Sequence, residues 1–249
     1  MISKNQISFV RSLHQKKFRQ MYGKFLVEGE KMVLELLSSP LRVDTVFSTF
    51  PISLQAAHSA TEFVRVSDND LSKIATQSNP DKCLAVVNMP EPNPISDVHL
   101  LEQELFVVCD NIADPGNAGT IIRTADWFGI SKVFFSLNSV DLYNPKTVAA
   151  SKGSLFRVAC IHTDIEQLLQ SNSHLPVIGS FMHGENIYQA KLPDCGFIVI
   201  GNEANGIGSA IEKRVTHRIT IPSFGKAESL NAGVATGILL SEFKRLQRV

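Results

Sequence analysis

The sequence predicts an α/β protein: a larger carboxyl-terminal part built on a parallel sheet, preceded by a small, separate α/β unit. Short apolar runs of strand length, at 105–109, 132–135, 177–179, 197–200 and 218–221, alternate with helix-patterned segments. That order sets strands side by side in parallel with helices over both faces. Between the two parts stands Asn88-Met89-Pro90-Glu91-Pro92-Asn93-Pro94. Alternating prolines continue neither a helix nor a central strand, so 89–99 reads as a semi-rigid linker between a domain at 23–88 and one at 100–249. With 249 residues, 44% of them hydrophobic and 19% charged, the chain has the length and apolar content for two packed cores.

The first 22 residues form a basic segment. Residues 1–24 carry Lys4, Arg11, Lys16, Lys17, Arg19 and Lys24 with no acidic side chain. A solvated basic helix face and a phosphate contact explain this equally well. In 23–88, residues 29–37 have helical spacing, with Met32, Val33, Leu36 and Leu37 on one side, and 43–47, 63–66 and 84–87 read as strands. After the linker, helical patterns fall at 119–128, 145–152, 165–169 and 208–215, and a long last helix runs from about 230 to 247. Asn144-Pro145 fits a helix start, with Asn as cap and Pro in the first turn.

Bulk chemistry narrows the function classes. Lys plus Arg equal Asp plus Glu at 24 each, so any nucleic-acid contact comes from local clustering rather than overall charge. Cys83, Cys109, Cys160 and Cys195 form no CxxC pair and read as free thiols of a reducing compartment. No apolar run approaches the roughly 20 residues of a membrane span, and Met1 to Phe9 lacks a secretory apolar core, so a soluble cytoplasmic protein is expected. Seven histidines include no HxxxH pair or Cys/His cluster, so no metal is expected. Neither GxGxxG nor GxxxxGK[ST] occurs, which removes support from dinucleotide and P-loop readings.

Three segments place polar residues after apolar strands, where open α/β sheets bind ligands. In Asp110–Arg123, turn chemistry with a capping Asn accounts for 114–117. It does not account for Arg123 among Ile121, Ile122 and Ala125, which either pairs with a carboxylate or faces a site for phosphate or carboxylate. In 197–208, glycines follow the strand directly and Glu203 stands near its carboxyl end. In 219–231, Ser229 reads either as a helix cap or as part of a site with Leu230 and Asn231.

Taken together and in this order, the three resemble the SpoU (TrmH-like) family of RNA ribose methyltransferases, of the SPOUT class. Asn117, Gly119 and Arg123 match N-x-G-x-x-x-R. Gly201, Glu203 and Gly206 match G-x-E-x-x-G. Ile221, Pro222, Gly225, Ser229, Leu230 and Asn231 match I-P-x-x-G-x-x-x-S-L-N. The resemblance covers roughly 106 to the end, and 23–87 is similar in length and placement to an L30-like substrate-binding domain. It implies a deep trefoil knot in 100–249, although knots are otherwise nearly absent from proteins. It implies S-adenosylmethionine bound near Ser180, Gly201, Asn202, Ile221, Ser229 and Leu230, and catalytic positions at Asn117, Arg123, Glu203, Ser229 and Asn231. It further implies a homodimer, to which Leu230, Val234, Ile238 and Leu239 of the last helix offer an apolar side; packing of that side on the chain's own sheet is equally compatible. The expected substrate is RNA, ribosomal RNA ahead of transfer RNA, gripped through Lys16, Lys17, Arg19, Lys146 and Lys152. Two alternatives are a non-catalytic RNA-binding or assembly protein on the same fold and a Rossmann-type metabolic enzyme. Intact motifs weigh against the first and the missing glycine fingerprint against the second.

Overall fold

A computed structural model describes residues 2–52, 60–77, 79–91, 100 and 103–247. The chain divides into two compact units: Met1–Glu91 with Asp141–Phe156, and Pro92–Val140 with Arg157–Val249. The linker expected at 89–99 lies outside the described residues from 92 onward.

The first unit opens with helices α1 (Lys4–Ser12) and α2 (Lys16–Tyr22). A capping box starts α1: Ser3 Oγ accepts from Gln6 N, and Gln6 Oε1 accepts from Ser3 N. Gly23, at φ +61°, ends α2 in the left-handed conformation that glycine takes without steric penalty. Then come β1 (Lys24–Glu28), α3 (Glu30–Leu36), β2 (Val43–Ser48), β3 (Glu62–Arg65), α4 (Asp68–Ile74) and β4 (Cys83–Asn88). The strands form a mixed sheet in the order β1-β4-β2-β3, with β4 antiparallel to both β1 and β2. Met32, Val33, Leu36 and Leu37 are all buried, as their spacing predicts. Val10, Leu13, Leu26, Phe47, Leu71 and Leu84 pack into one core cluster, so the basic amino-terminal segment turns an apolar face inward.

Helix α6 (Pro145–Ser151) and the 3-10 turn Ser154–Phe156 belong to this first unit, although sequence order places them inside 100–249. Two contacts hold them there. Tyr143 packs against Phe25 with ring centroids 4.7 Å apart and the rings tilted by 39°, and Asp141 forms an ion pair with Arg19. Asn144 caps α6, its Oδ1 accepting from Lys146 N at 2.9 Å, with Pro145 in the first turn.

Arg19 corrects the sequence reading. It is only 2% exposed. Its Nε and Nη2 donate to Asp141 Oδ2 at 3.2 and 2.6 Å, and its Nη1 donates to the carbonyls of Leu13 and His14 at 2.9 and 2.8 Å. A guanidinium with its donors committed inside the fold is a strut and not a phosphate contact. Lys16, Lys17, Lys146 and Lys152 are exposed.

The second unit contains β5 (Leu105–Cys109), α5 (Pro115–Trp127), β6 (Lys132–Ser136), β7 (Ala159–Thr163), α7 (Ile165–Ser171), β8 (Val177–Asn186), β9 (Gly196–Ile200), α8 (Ser209–Glu212), β10 (His217–Thr220) and α9 (Ala232–Leu246). Its six strands are parallel throughout, in the order β10-β8-β9-β5-β6-β7. β5 and β9 are buried at every position, as strands covered on both faces must be. Phe106, Phe134 and Phe197 form the aromatic centre of the core, with centroids 5.4–6.3 Å apart. The sequence did not signal β7, an edge strand whose half-exposed positions make no apolar run. The helix expected at 208–215 is one turn, Ser209–Glu212. No helix among the described residues is long and apolar enough to cross a membrane.

Candidate functional site

The carboxyl ends of the central strands carry the polar residues that the motifs single out. At the end of β5, Asp110 is buried and accepts from Gly208 N (2.7 Å) and from the Asn111 side chain (2.8 Å). Asn111 sits at φ +55°, a conformation Asn tolerates better than most residues, and its carbonyl accepts from Asn202 Nδ2 at 2.8 Å. Asn202 in turn receives Ala204 N and Asn205 N on its Oδ1. These bonds fasten the 201–208 loop to the end of β5. At Gly201 an added Cβ would stand 2.3 Å from Gly206 C and 2.5 Å from Ile207 N, so only glycine lets the loop fold back this closely.

Asp114, not Asn117, caps α5, accepting from Asn117 N at 2.8 Å. That leaves the Asn117 side chain available, and it joins the three motifs. Asn117 Nδ2 donates to Glu203 Oε1, and Asn117 Oδ1 accepts from Asn231 Nδ2 at 2.6 Å. Asn231 is itself the cap of α9, its Oδ1 accepting from Gly233 N and Val234 N. Ser229 is therefore not the cap, and the last helix begins at Ala232 rather than Leu230. Helix α9 reaches α5 closely at Gly233, where a Cβ would stand 2.7 Å from Thr120 Cγ2. Close approach there is what lets Asn231 reach Asn117.

A cavity of about 1010 Å³ opens beside this network. Its wall is made by 180–183 of β8, the 200–207 loop and the 220–230 segment after β10, so it sits over adjacent strands β10, β8 and β9. Ser180, Gly201, Asn202, Ile221, Ser229 and Leu230, six positions scattered over 51 residues of sequence, all line it. Glu203 lines it too, while Asn117 and Asn231 stand behind Glu203. Arg123 lies elsewhere: it is exposed on α5 and is not part of the lining. Among the described residues no carboxylate pairs with it; Asp126, one turn on, pairs with Arg157 at 2.6 Å.

Sequence reasoning missed two residues that shape this site, one behind the wall and one in it. One is Asp110, whose role appears only through Gly208, 98 residues away. The other is Arg218, whose guanidinium carbon sits 3.8 Å from the Phe181 ring centroid while its Nη1 donates to Glu212 at 2.5 Å. Pairing of β8 with β10 creates that contact, and nothing local in the sequence announces it.

The model of the SpoU rRNA methylase family matches residues 104–241, more than half of the chain. The chain belongs to the SpoU rRNA methylase family. Residues 4–85 match the MRM3-like substrate binding domain, so the SpoU match and this one fall on either side of the proline-rich stretch. Among curated relatives, the chain is 29% identical to the Bacillus subtilis 23S rRNA (guanosine(2553)-2′-O)-methyltransferase RlmP, over 96% of both chains. Among solved structures, a TrmH-family protein from Porphyromonas gingivalis superposes with a TM-score of 0.86 at 36% identity, covering 99% of each chain. An AdoMet-bound rRNA methyltransferase from Sinorhizobium meliloti superposes with a TM-score of 0.91 at 27% identity, over 100% of this chain and 98% of that one. The SpoU family match thus coincides with the parallel sheet that carries the cavity.

Proposed function

We propose that this SpoU-family chain is an RNA (ribose-2′-O)-methyltransferase that takes its methyl group from S-adenosylmethionine and acts on ribosomal RNA. The observation that carries the reading is the convergence of three separated motifs, through Asn117, Glu203 and Asn231, on one cavity. That cavity fits S-adenosylmethionine by size, since small-ligand and cofactor sites run to about 300–1,000 Å³. At Gly201 the loop folds back so closely that a Cβ would meet the backbone of Gly206 and Ile207, which fixes this part of the wall. Ser180, Gly201, Asn202, Ile221, Ser229 and Leu230 would hold the cofactor, which when bound supplies an electrophilic methyl group. The trefoil threading of the carboxyl-terminal segment belongs to the same proposal.

The residues around it position the acceptor. Asn117 is held from both sides, so Glu203 is fixed in the wall as a hydrogen-bond acceptor, with Asn231 tied to the start of α9. Arg123 clamps the neighbouring phosphate and stabilises developing alkoxide charge. A guanidinium stays protonated in proteins, so a clamp suits it better than a general base. Because Arg123 is exposed off the cavity of its own chain, the proposal includes a homodimer in which it serves the partner's site. The exposed face available for that contact carries Trp127, 85% exposed, with Leu230 and Val234. Leu239 is fully buried within the chain, so the proposed contact uses Leu230 and Val234 of the last helix and not Leu239.

Transfer of a labelled methyl group to unmodified ribosomal RNA, measured alongside calorimetric binding of S-adenosylmethionine, tests the proposal. Arg123→Ala is expected to abolish transfer and to leave cofactor affinity nearly intact. Binding of the cofactor with no transfer to any RNA by the unaltered protein would favour the non-catalytic reading.

A further inference from the structure

The first unit contains a cleft of about 690 Å³ that the reaction does not use. Its walls come from Arg11 and His14 near the α1–α2 turn, Lys73 and Thr76 at the end of α4, and Asn144 and Lys146 at the start of α6. No carboxylate lines it among the described residues. Lys73 is engaged by Asp70 at 2.7 Å, but Arg11 and Lys146 have no acidic partner among the described residues.

The walls are tied together. His14 Nε2 is bonded to the Ile74 carbonyl at 2.9 Å, joining the α1–α2 turn to the end of α4. Thr76 is anchored on Glu28 through its N and Oγ1. Arg19 grips the carbonyls of Leu13 and His14 while paired with Asp141, three residues before Asn144. The buried arginine that sequence reading assigned to RNA is thus the strut between two walls of this cleft. A braced concavity with uncompensated positive charge is a favourable place for an anion. No Phe, Tyr or Trp lines it among the described residues, and the His14 ring is held by the Ile74 carbonyl, so the groups offered suit a sugar–phosphate backbone better than a base edge.

We propose that this cleft binds the phosphodiester backbone of the RNA substrate, with Arg11 and Lys146 as its principal contacts. The proposal rests on the RNA methyltransferase reading and names a surface through which substrate is held away from the reacting group. Contacts of this kind set register without reading sequence, and each adds to the salt dependence of binding.

The test uses the full chain and a labelled transcript of bacterial 23S ribosomal RNA, titrated over a salt series of about 50 to 200 mM. In the double variant Arg11→Ala/Lys146→Ala, the slope of log affinity against log salt should become shallower by about one to two, with several-fold weaker binding at low salt. Thermal midpoint and S-adenosylmethionine affinity report that the fold is retained. Unchanged slope and affinity in the double variant, with the unaltered protein binding RNA, would overturn the cleft assignment and leave the methyltransferase reading standing. An unaltered protein that binds no RNA would take down that reading and the cleft with it. Saturable binding of inorganic phosphate that depends on Arg11 and Lys146, without any effect of their loss on RNA affinity, would also overturn the proposal.

Discussion

Replacing Arg19 with Ala removes a guanidinium that makes four hydrogen bonds, two to Asp141 Oδ2 and one each to the carbonyls of Leu13 and His14. Breaking a buried ion pair by deleting one partner costs about 3–5 kcal/mol, because the other charge is left uncompensated. The Asp141 side chain is 15% exposed and still accepts from Tyr143 N at 3.0 Å, so part of its charge stays solvated or bonded. The lower end, about 3 kcal/mol, is therefore expected. Arg19→Lys keeps the charge but not the fork that spans three acceptors, and should cost about 1–2 kcal/mol through the lost bonds. Urea titration followed by the fluorescence of a probe on the first unit reads these differences as shifts in midpoint. Asp141→Ala and the double variant complete a cycle whose coupling energy isolates the pair. A loss below about 1 kcal/mol, together with an RNA salt slope shallower by about one, would refute the strut and restore Arg19 as a phosphate contact.

At Gly201, a Cβ meets backbone atoms at 2.3 and 2.5 Å, which cannot yield as a flexible side chain would. Gly201→Ala should cost about 1–3 kcal/mol of stability and abolish measurable S-adenosylmethionine binding in calorimetry. Retained affinity would place the cofactor elsewhere. For the dimer face, Trp127→Glu combined with Val234→Glu should convert a dimer to a monomer in sedimentation velocity at unchanged thermal midpoint, since both side chains are at least half exposed in one chain. A monomeric unaltered protein would remove that part of the proposal. Burial pushes the Cys83 thiol from its ordinary 9.0 up to about 12, with the Asp81 charge adding to the rise. A raised folded-state value means the stability gained from the neutral thiol is complete below pH 9 and lost as pH climbs toward 12. Ellman's reagent at pH 8 should therefore leave Cys83 untouched until the chain is unfolded. Rapid native labelling at that position would contradict the burial.

Local chemistry made much of this protein legible in its sequence. Strands β5 and β9 are apolar runs because both sheet faces are covered, and a run of that kind survives without knowledge of its neighbours. α3 declared itself by the spacing of Met32, Val33, Leu36 and Leu37, and α6 by Asn144-Pro145. Of the cavity positions that the family resemblance implies, Gly201, Asn202, Ile221, Ser229 and Leu230 fall within short contiguous motifs, whereas Ser180 lies in none of them. Tertiary structure alone decided the rest. Whether a charged residue faces solvent or a partner depends on what the fold brings opposite it, so Arg19 and Lys17, two positions apart and alike in sequence, have unlike roles. Asp141 lies 122 residues from Arg19, and Asn231 lies 114 from Asn117. Pairings at such separations leave no local pattern. They arise when strand order and helix packing bring distant ends together, and only then do a cap, a strut and a cavity wall become different things.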